Sequence, residues 1–239
     1  MNITELITSF RSRDEEQNIS KARWYILAAA ALASVGAGDE IVRLYEISTE
    51  DLDLEDKKIV QRRIKESVLK GTVFYGVPRS AQALLPLFKT LPEEEIDRFS
   101  PRMSYQGDAN EEQKRAERGR VYFDKLWGAE AGQANRDLIR NYFPDLYLLN
   151  LKMIYEWYLS EDAILSDVET QMCNSAALSC LDSPVQAMWH TRGVIRLGGT
   201  LDDARLAQDL GMKIARAYGC ITDNIVMVDD LDFENNTLS

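Results

Sequence analysis

Two parts of the sequence follow the same plan, and this internal repeat constrains the fold more than any other feature. The alanine-rich run 28-AAAALAS-34 corresponds to 174-NSAALSC-180, and the stretch 53–76 corresponds to 200–219. Each longer stretch begins with a helix-capping residue followed by leucine, an acidic residue and aspartate, and each ends in Tyr-Gly. Their lengths differ by about one helical turn, as a tolerated insertion would leave them. The repeat predicts an all-α fold of two pseudo-repeated helical-hairpin units.

Helix start and stop signals are clearest in the second copy. The pattern 183-SPVQ-186 predicts a capping box with proline at the first helical position, and the glycines at 198–199 predict the end of that helix. The pattern 200-TLDD-203 opens the next helix, which should run to Tyr218 and be capped by Gly219. His190, the only histidine of the chain, lies on the first of these two helices.

A further helix, 167–180, precedes this pair. Glu169, Cys173 and Cys180 fall on one stripe of it, and its small residues would let another helix approach closely. The alternation typical of a strand occurs only weakly, at 224–233.

Composition restricts the partners and the compartment. The net charge of −11 disfavours nucleic-acid binding. Three cysteines in a chain of this length do not indicate a secreted disulfide framework, and the N-terminus lacks the apolar core of a signal peptide. The most apolar run, 24–35, is too short to span a bilayer. These features predict a reduced, soluble, cytoplasmic protein that binds neither nucleic acid nor membrane.

Four stretches together resemble the carboxymuconolactone decarboxylase-like family, which includes the AhpD-like peroxidases. The stretches are 66-ESVLKGTVFYGVPRSAQAL-84, 118-RGRVYFDKLWG-128, 144-PDLYLLNLKMIYEWYLS-160 and 169-ETQMCNSAALSCLDSPVQAMWHTRGVIRLGGT-200. Their order and spacing are similar to the family's pattern. The chain departs from that pattern at Glu156, where the family often has glycine, and it lacks the C-x-x-C motif of the AhpD branch.

The resemblance implies an AhpD-like helical fold with no metal and no organic cofactor. It divides the chain into a degenerate N-terminal unit (1–90), a polar linker (91–117), a decarboxylase-like unit (118–220) and an acidic tail (221–239). It also implies a homo-oligomer, with a trimer favoured and a dimer as the alternative.

The resemblance implies cofactor-free decarboxylation, or related enolate chemistry, on a small carboxylated lactone or natural-product intermediate. His190 would be the general acid–base and Glu169 would orient it, because an imidazole titrates near neutral pH. Cys173 is a candidate third catalytic residue. Arg192 could clamp a carboxylate, although position i+2 points about 200° around the helix from His190.

Three further residues are candidates for substrate binding. Trp189 and Tyr155 would line an apolar pocket, and Glu66 matches a family position on the other unit. In the first copy Arg23 and about Leu44 stand where Glu169 and His190 stand in the second, which predicts one site per chain.

Two alternatives remain open. One is an AhpD-like redox protein. Cys173 and Cys180 would be separated by about 10 Å of helical rise, beyond the roughly 7 Å that a disulfide allows between Cα atoms, so dithiol chemistry is disfavoured. The other is a non-catalytic oligomeric binding protein that keeps only the fold.

Overall fold

The computed structural model describes residues 3–14, 16 and 18–234, and confirms the all-α prediction. No strand occurs among these residues. The α-helices in chain order are α1 (Ile3–Arg11), α2 (Trp24–Val35), α3 (Glu40–Thr49), α4 (Leu54–Thr90), α5 (Pro101–Ser104), α6 (Ala109–Trp127), α7 (Ala129–Tyr142), α8 (Pro144–Tyr147), α9 (Asp167–Leu178), α10 (Pro184–Arg196) and α11 (Leu201–Ala217). A π-helix (Leu148–Leu159) continues α8, and 3₁₀ turns occupy Glu93–Glu95 and Val228–Asp230.

Helix α2 forms the centre of the main core. Its residues 24–34 are all buried, because α1, α3, α4, α9 and α11 surround it. A helix that is apolar on every side is stable only in such a position. Its alanines keep the side chains short, so α2 and α9 cross closely enough for Ser34 Oγ to donate to the carbonyl oxygen of Ala177 at 2.7 Å.

The small residues of α9 also admit α11, as the sequence predicts. A Cβ atom on Gly211 would lie 2.5 Å from the carbonyl oxygen of Ala176, so only glycine permits this approach. The predicted capping box of Thr200 and Asp203 forms at the start of α11. Gly219 follows the C-cap residue Tyr218 in the left-handed region, with a φ of 72°.

The predicted capping box at Ser183 does not form. Ser183 Oγ donates to the carbonyl oxygen of Leu181 instead of accepting from the first turn of α10, although Pro184 does occupy the first turn. The helix begins where predicted because proline pre-sets the backbone there.

The segment 91–117, predicted as a polar linker, is fastened to α4. The side chain of Gln61 donates to the carbonyl oxygen of Glu95 and accepts from the backbone N–H of Asp97, while Arg62 forms an ion pair with Asp97. Helix α6 then runs without a break across position 117.

The described part of the acidic tail packs against α11. The weak alternation at 224–233 does not form a strand: Gln208 of α11 donates to the carbonyl oxygen of Val226 and accepts from the N–H of Val228, which holds a 3₁₀ turn against the helix. Residues 235–239 of the predicted tail lie outside the described residues.

A second, smaller core joins α6 to the π-helix. Tyr122, Phe123 and Leu126 of α6 pack against Leu151 and Tyr155. None of the helices in the described part of the chain combines the length and apolar character needed to cross a membrane.

Candidate functional site

His190 lies on α10 with only 4% of its surface exposed. The ring packs edge-on against Phe74, with the ring centroids 5.0 Å apart, and Nδ1 lies 2.8 Å from Oε1 of Gln171. Burial lowers the pKa of His190 to about 4. The imidazole is therefore neutral at physiological pH.

Gln171 determines the tautomer of this imidazole. Its Nε2 donates to the hydroxyl of Tyr122 at 2.5 Å, so its Oε1 is left as the acceptor that faces His190. The proton of the neutral ring consequently resides on Nδ1, which donates to Gln171. Burial also raises the pKa of Tyr122 well above its usual value, so that hydroxyl stays protonated.

Glu169 does not reach His190. Its Oε2 accepts from the backbone N–H of Ser166 at 2.9 Å in a capping box, and its Oε1 accepts from Nη2 of Arg63. Arg63 is 4% exposed and also donates to the carbonyl oxygen of Ala22 at 2.6 Å. The carboxylate of Glu169 therefore joins the start of α9 to α4.

Cys173 is a buried thiol without the environment of a nucleophile. Burial raises its pKa to about 12, with smaller opposing effects that include the positive charges of Arg63 and Lys70. Cys180 is also buried, and burial raises its pKa further. A reactive cysteine needs a lowered pKa and access to solvent, and neither thiol has them.

The predicted pocket residues are packed against one another. Trp189 is buried beside Trp127, with centroids 4.9 Å apart, and the guanidinium of Arg192 lies 5.3 Å from the Trp189 ring centre. Tyr155 accepts a hydrogen bond from Trp127 Nε1 at 3.0 Å. These side chains build one aromatic layer between α6, α10 and the π-helix.

Glu66 belongs to a different cluster. Its carboxylate accepts two hydrogen bonds from Arg102, at 2.9 and 2.6 Å, and lies 3.9 Å from the ammonium of Lys70. Lys70 is fully buried, and burial lowers its pKa to about 8. Its ammonium donates to the carbonyl oxygen of Glu161 at 2.5 Å and to Oγ1 of Thr170 at 2.6 Å.

Sequence reasoning missed Lys70 and the Gln171–Tyr122 pair. Lys70 falls between Ser67 and Gly71, which are both buried, so the helical period of α4 would have placed it on the inward face. Gln171 and Tyr122 lie in segments far apart in the chain, and no local signal links them.

The cavities on the described part of the protein include two that are enclosed by more than one element. One of about 590 Å³ is lined by residues of α6, α7 and the π-helix, including Arg120, Arg136 and Glu156. One of about 300 Å³ is lined by Arg62, Glu66 and others between α4 and 97–102. Of the predicted site residues, only Glu66 lines either of them. Among the described residues no three His, Cys, Asp or Glu side chains converge as ligands for a metal ion.

Comparison with known proteins gives two relatives of the same name. The chain is 23% identical to Peroxisomal protein 2 of Schizosaccharomyces pombe, over 82% of this chain and 86% of the relative. It is 20% identical to Peroxisomal protein 2 of Saccharomyces cerevisiae, over 92% of this chain and 95% of the relative. A search against models of protein families finds no match, and no solved structure matches.

These relatives correct two predictions. Proteins named for the peroxisome oppose the predicted decarboxylase function and the predicted cytoplasmic location, so both predictions are wrong. The site geometry points the same way, because His190, Glu169 and Cys173 do not meet around a common cavity: each has a separate structural environment.

Proposed function

We propose that this chain is a peroxisomal protein that works by binding and assembly, and not through acid–base or thiol chemistry at His190, Glu169 and Cys173. The peroxisomal assignment rests on the names of the two relatives, which align with most of the chain. The non-catalytic role rests on one observation, the enclosure of the only imidazole. An acid–base residue must come within hydrogen-bond reach of its substrate.

The partners of the other two residues support this proposal. The carboxylate of Glu169 is neutralised by Arg63 and used in a helix cap, so it is not free to exchange protons with His190. The Cys173 thiol, with a pKa of about 12, is protonated at any physiological pH. All three side chains then stabilise the fold.

We also propose that α2–α4 and α9–α11 are two copies of one AhpD-like three-helix unit. The first helix of each set, α2 or α9, is 12 residues long. The third helix of each set begins at a capping residue whose side chain accepts from the backbone N–H three residues later. Superposition of α2–α4 on α9–α11 in an experimental structure tests the proposal. Helices that do not overlay would contradict it.

Chemical modification tests the non-catalytic role. Native protein treated with diethyl pyrocarbonate at pH 7 should leave His190 unmodified, whereas protein unfolded in guanidinium should take up one group on its single imidazole. Iodoacetamide should label Cys220, which is partly exposed, but not Cys173 or Cys180. Rapid native modification of His190 or Cys173 would show an accessible, reactive site and would contradict the proposal.

Microscopy tests the location. A fluorescent fusion expressed in fission yeast should give puncta that coincide with a peroxisomal marker. A uniform cytosolic signal would contradict the peroxisomal assignment while leaving the modification experiment unaffected.

A further inference from the structure

An exposed apolar surface follows the chain around the corner between α7 and the π-helix. Seven large apolar residues of this segment are each between 41% and 80% exposed. We call them the 138–153 face: Leu138, Tyr142, Phe143, Leu146, Leu148, Leu149 and Met153. The opposite side of the same segment is buried, with Leu151 and Tyr155 packed against α6. The 138–153 face is therefore directed away from the protein's own core.

The corner joins two arms, α7 on one side and α8 with the π-helix on the other. Helices α7 and α8 pack against each other, and the guanidinium of Arg140 lies 5.7 Å from the ring centre of Tyr147. Within the arms, Leu138 and Tyr142 are four residues apart, and Leu149 and Met153 repeat that spacing. Neighbours at this spacing share one side of a helix.

The size of the face suits association of two copies. Seven large side chains at about half exposure present roughly 600 Å² of apolar surface, since such a side chain covers 150–250 Å² when buried. A standard interface buries about 800 Å² on each partner, including a polar rim. A patch this large on a protein surface indicates an interaction site.

The charges beside the face favour a second copy as the occupant. Two neighbouring cations are paired within the chain, Arg136 with Asp124 and Lys152 with Glu156, and Asp137 accepts a hydrogen bond from Gln133. Arg140 and Asp145, which flank the corner, have no ion-pair partner among the described residues. A two-fold axis that passes between Arg140 and Asp145 would bring Arg140 of each copy to Asp145 of the other, and the surface would then be complementary to itself.

We propose that the 138–153 face is the interface of a two-fold homodimer, closed by two reciprocal Arg140–Asp145 ion pairs. This inference goes beyond the proposed function and does not rest on it, because it depends on surface chemistry and not on the location of the protein or the reactivity of His190.

Sedimentation velocity of the full chain between 1 and 50 µM tests the proposal. The wild type should sediment with twice the chain mass of 27.2 kDa. Met153→Glu and Leu146→Glu should each raise the dimer dissociation constant at least a hundredfold, because a desolvated carboxylate would enter an apolar interface. Met103→Glu is the matched control: Met103 is more exposed than Met153 but lies on α5, so its variant should remain dimeric.

A charge exchange tests the symmetry and does not depend on disrupting the apolar face. Arg140→Glu and Asp145→Arg should each weaken dimerisation roughly tenfold, and the double variant should restore it, because every pair is then re-formed with reversed sign. A monomeric wild type overturns the proposal, including one whose face binds phosphatidylcholine vesicles instead. A trimeric wild type also overturns the proposal, as does a Met153→Glu protein that still dimerises. The same holds if the double variant dimerises no more tightly than either single variant.

Discussion

At the scale of single residues, the polar groups that looked catalytic serve to satisfy one another inside the protein. His190 donates to Gln171, Gln171 donates to Tyr122, and Glu169 accepts from Arg63. Removing a buried partner leaves the other group without a hydrogen bond and costs about 1–3 kcal/mol. Substitutions that remove these hydrogen bonds should therefore lower the free energy of unfolding.

The buried imidazole should make stability depend on pH. In the unfolded chain His190 binds a proton with a pKa near 6.5, whereas in the folded chain it does so only near 4. Its contribution is complete above pH 6.5 and is lost as the pH falls towards 4, because the unfolded state then binds more protons. Between pH 7.5 and 5.5 the free energy of unfolding should fall by about 1.3 kcal/mol more in the wild type than in His190→Asn. Urea unfolding of both proteins at the two pH values measures this; parallel pH profiles would show that the imidazole is not buried.

Lys70 should be among the most sensitive charged residues. Lys70→Met removes the ammonium that Glu161 and Thr170 accept from and that faces Glu66, so we expect a loss of about 3–5 kcal/mol. Lys114→Met is the control, because Lys114 forms a solvent-exposed ion pair with Glu111 whose loss should leave the stability almost unchanged. Equal denaturation midpoints for the two variants would argue against a structural role for Lys70.

At the scale of helices, close approach depends on small residues at particular crossings. The α9–α11 crossing places Gly211 against the backbone of Ala176, and the α2–α9 crossing carries the hydrogen bond from Ser34 to Ala177. Backbone cannot move aside as a flexible side chain can. The α9–α11 crossing should therefore tolerate no side chain larger than that of glycine at position 211.

Two glycine-to-alanine substitutions should have opposite effects. Gly211→Ala should destabilise the protein by about 2 kcal/mol or more, because the new methyl group meets a carbonyl oxygen. Gly132→Ala on α7 should be neutral or stabilise by up to about 1 kcal/mol, since alanine favours the helix and the nearest atoms belong to side chains. Thermal unfolding of both variants distinguishes the cases. A Gly211→Ala protein as stable as the wild type would mean that the helices cross further apart.

At the scale of the whole molecule, the core that surrounds α2 and the smaller core of α6 with the π-helix differ in what they leave exposed. The first encloses its central helix completely, whereas the second leaves the 138–153 face in solvent. A dimer through that face would cover its seven exposed apolar side chains.

Dimerisation should make the melting temperature depend on protein concentration. A hundredfold increase in concentration stabilises a dimer by about 2.7 kcal/mol, which for two chains of this length should raise the midpoint by about 2–3 °C. Met153→Glu should melt at a temperature that does not change with concentration. Scanning calorimetry or fluorimetry over a hundredfold range of protein concentration measures both melting temperatures. A wild-type melting temperature that does not change with concentration would contradict unfolding from a dimer.

The sequence by itself determined the helical class and several helix boundaries, because capping residues, proline and glycine act on their immediate neighbours. The caps at Asp53 and Thr200 and the end at Gly219 are examples. A helical stripe also placed Glu169 and Cys173 together, but it carried no information about which side chains of other helices would face them.

Only the tertiary structure decided the environment of His190 and the partner of Glu169. Gln171, Tyr122 and Arg63 reach these positions from different helices, and the packing of those helices determines both the hydrogen bonds and the burial. Burial is what lowers the pKa of His190, so a residue that the sequence alone marked as an acid–base candidate is held neutral by long-range packing.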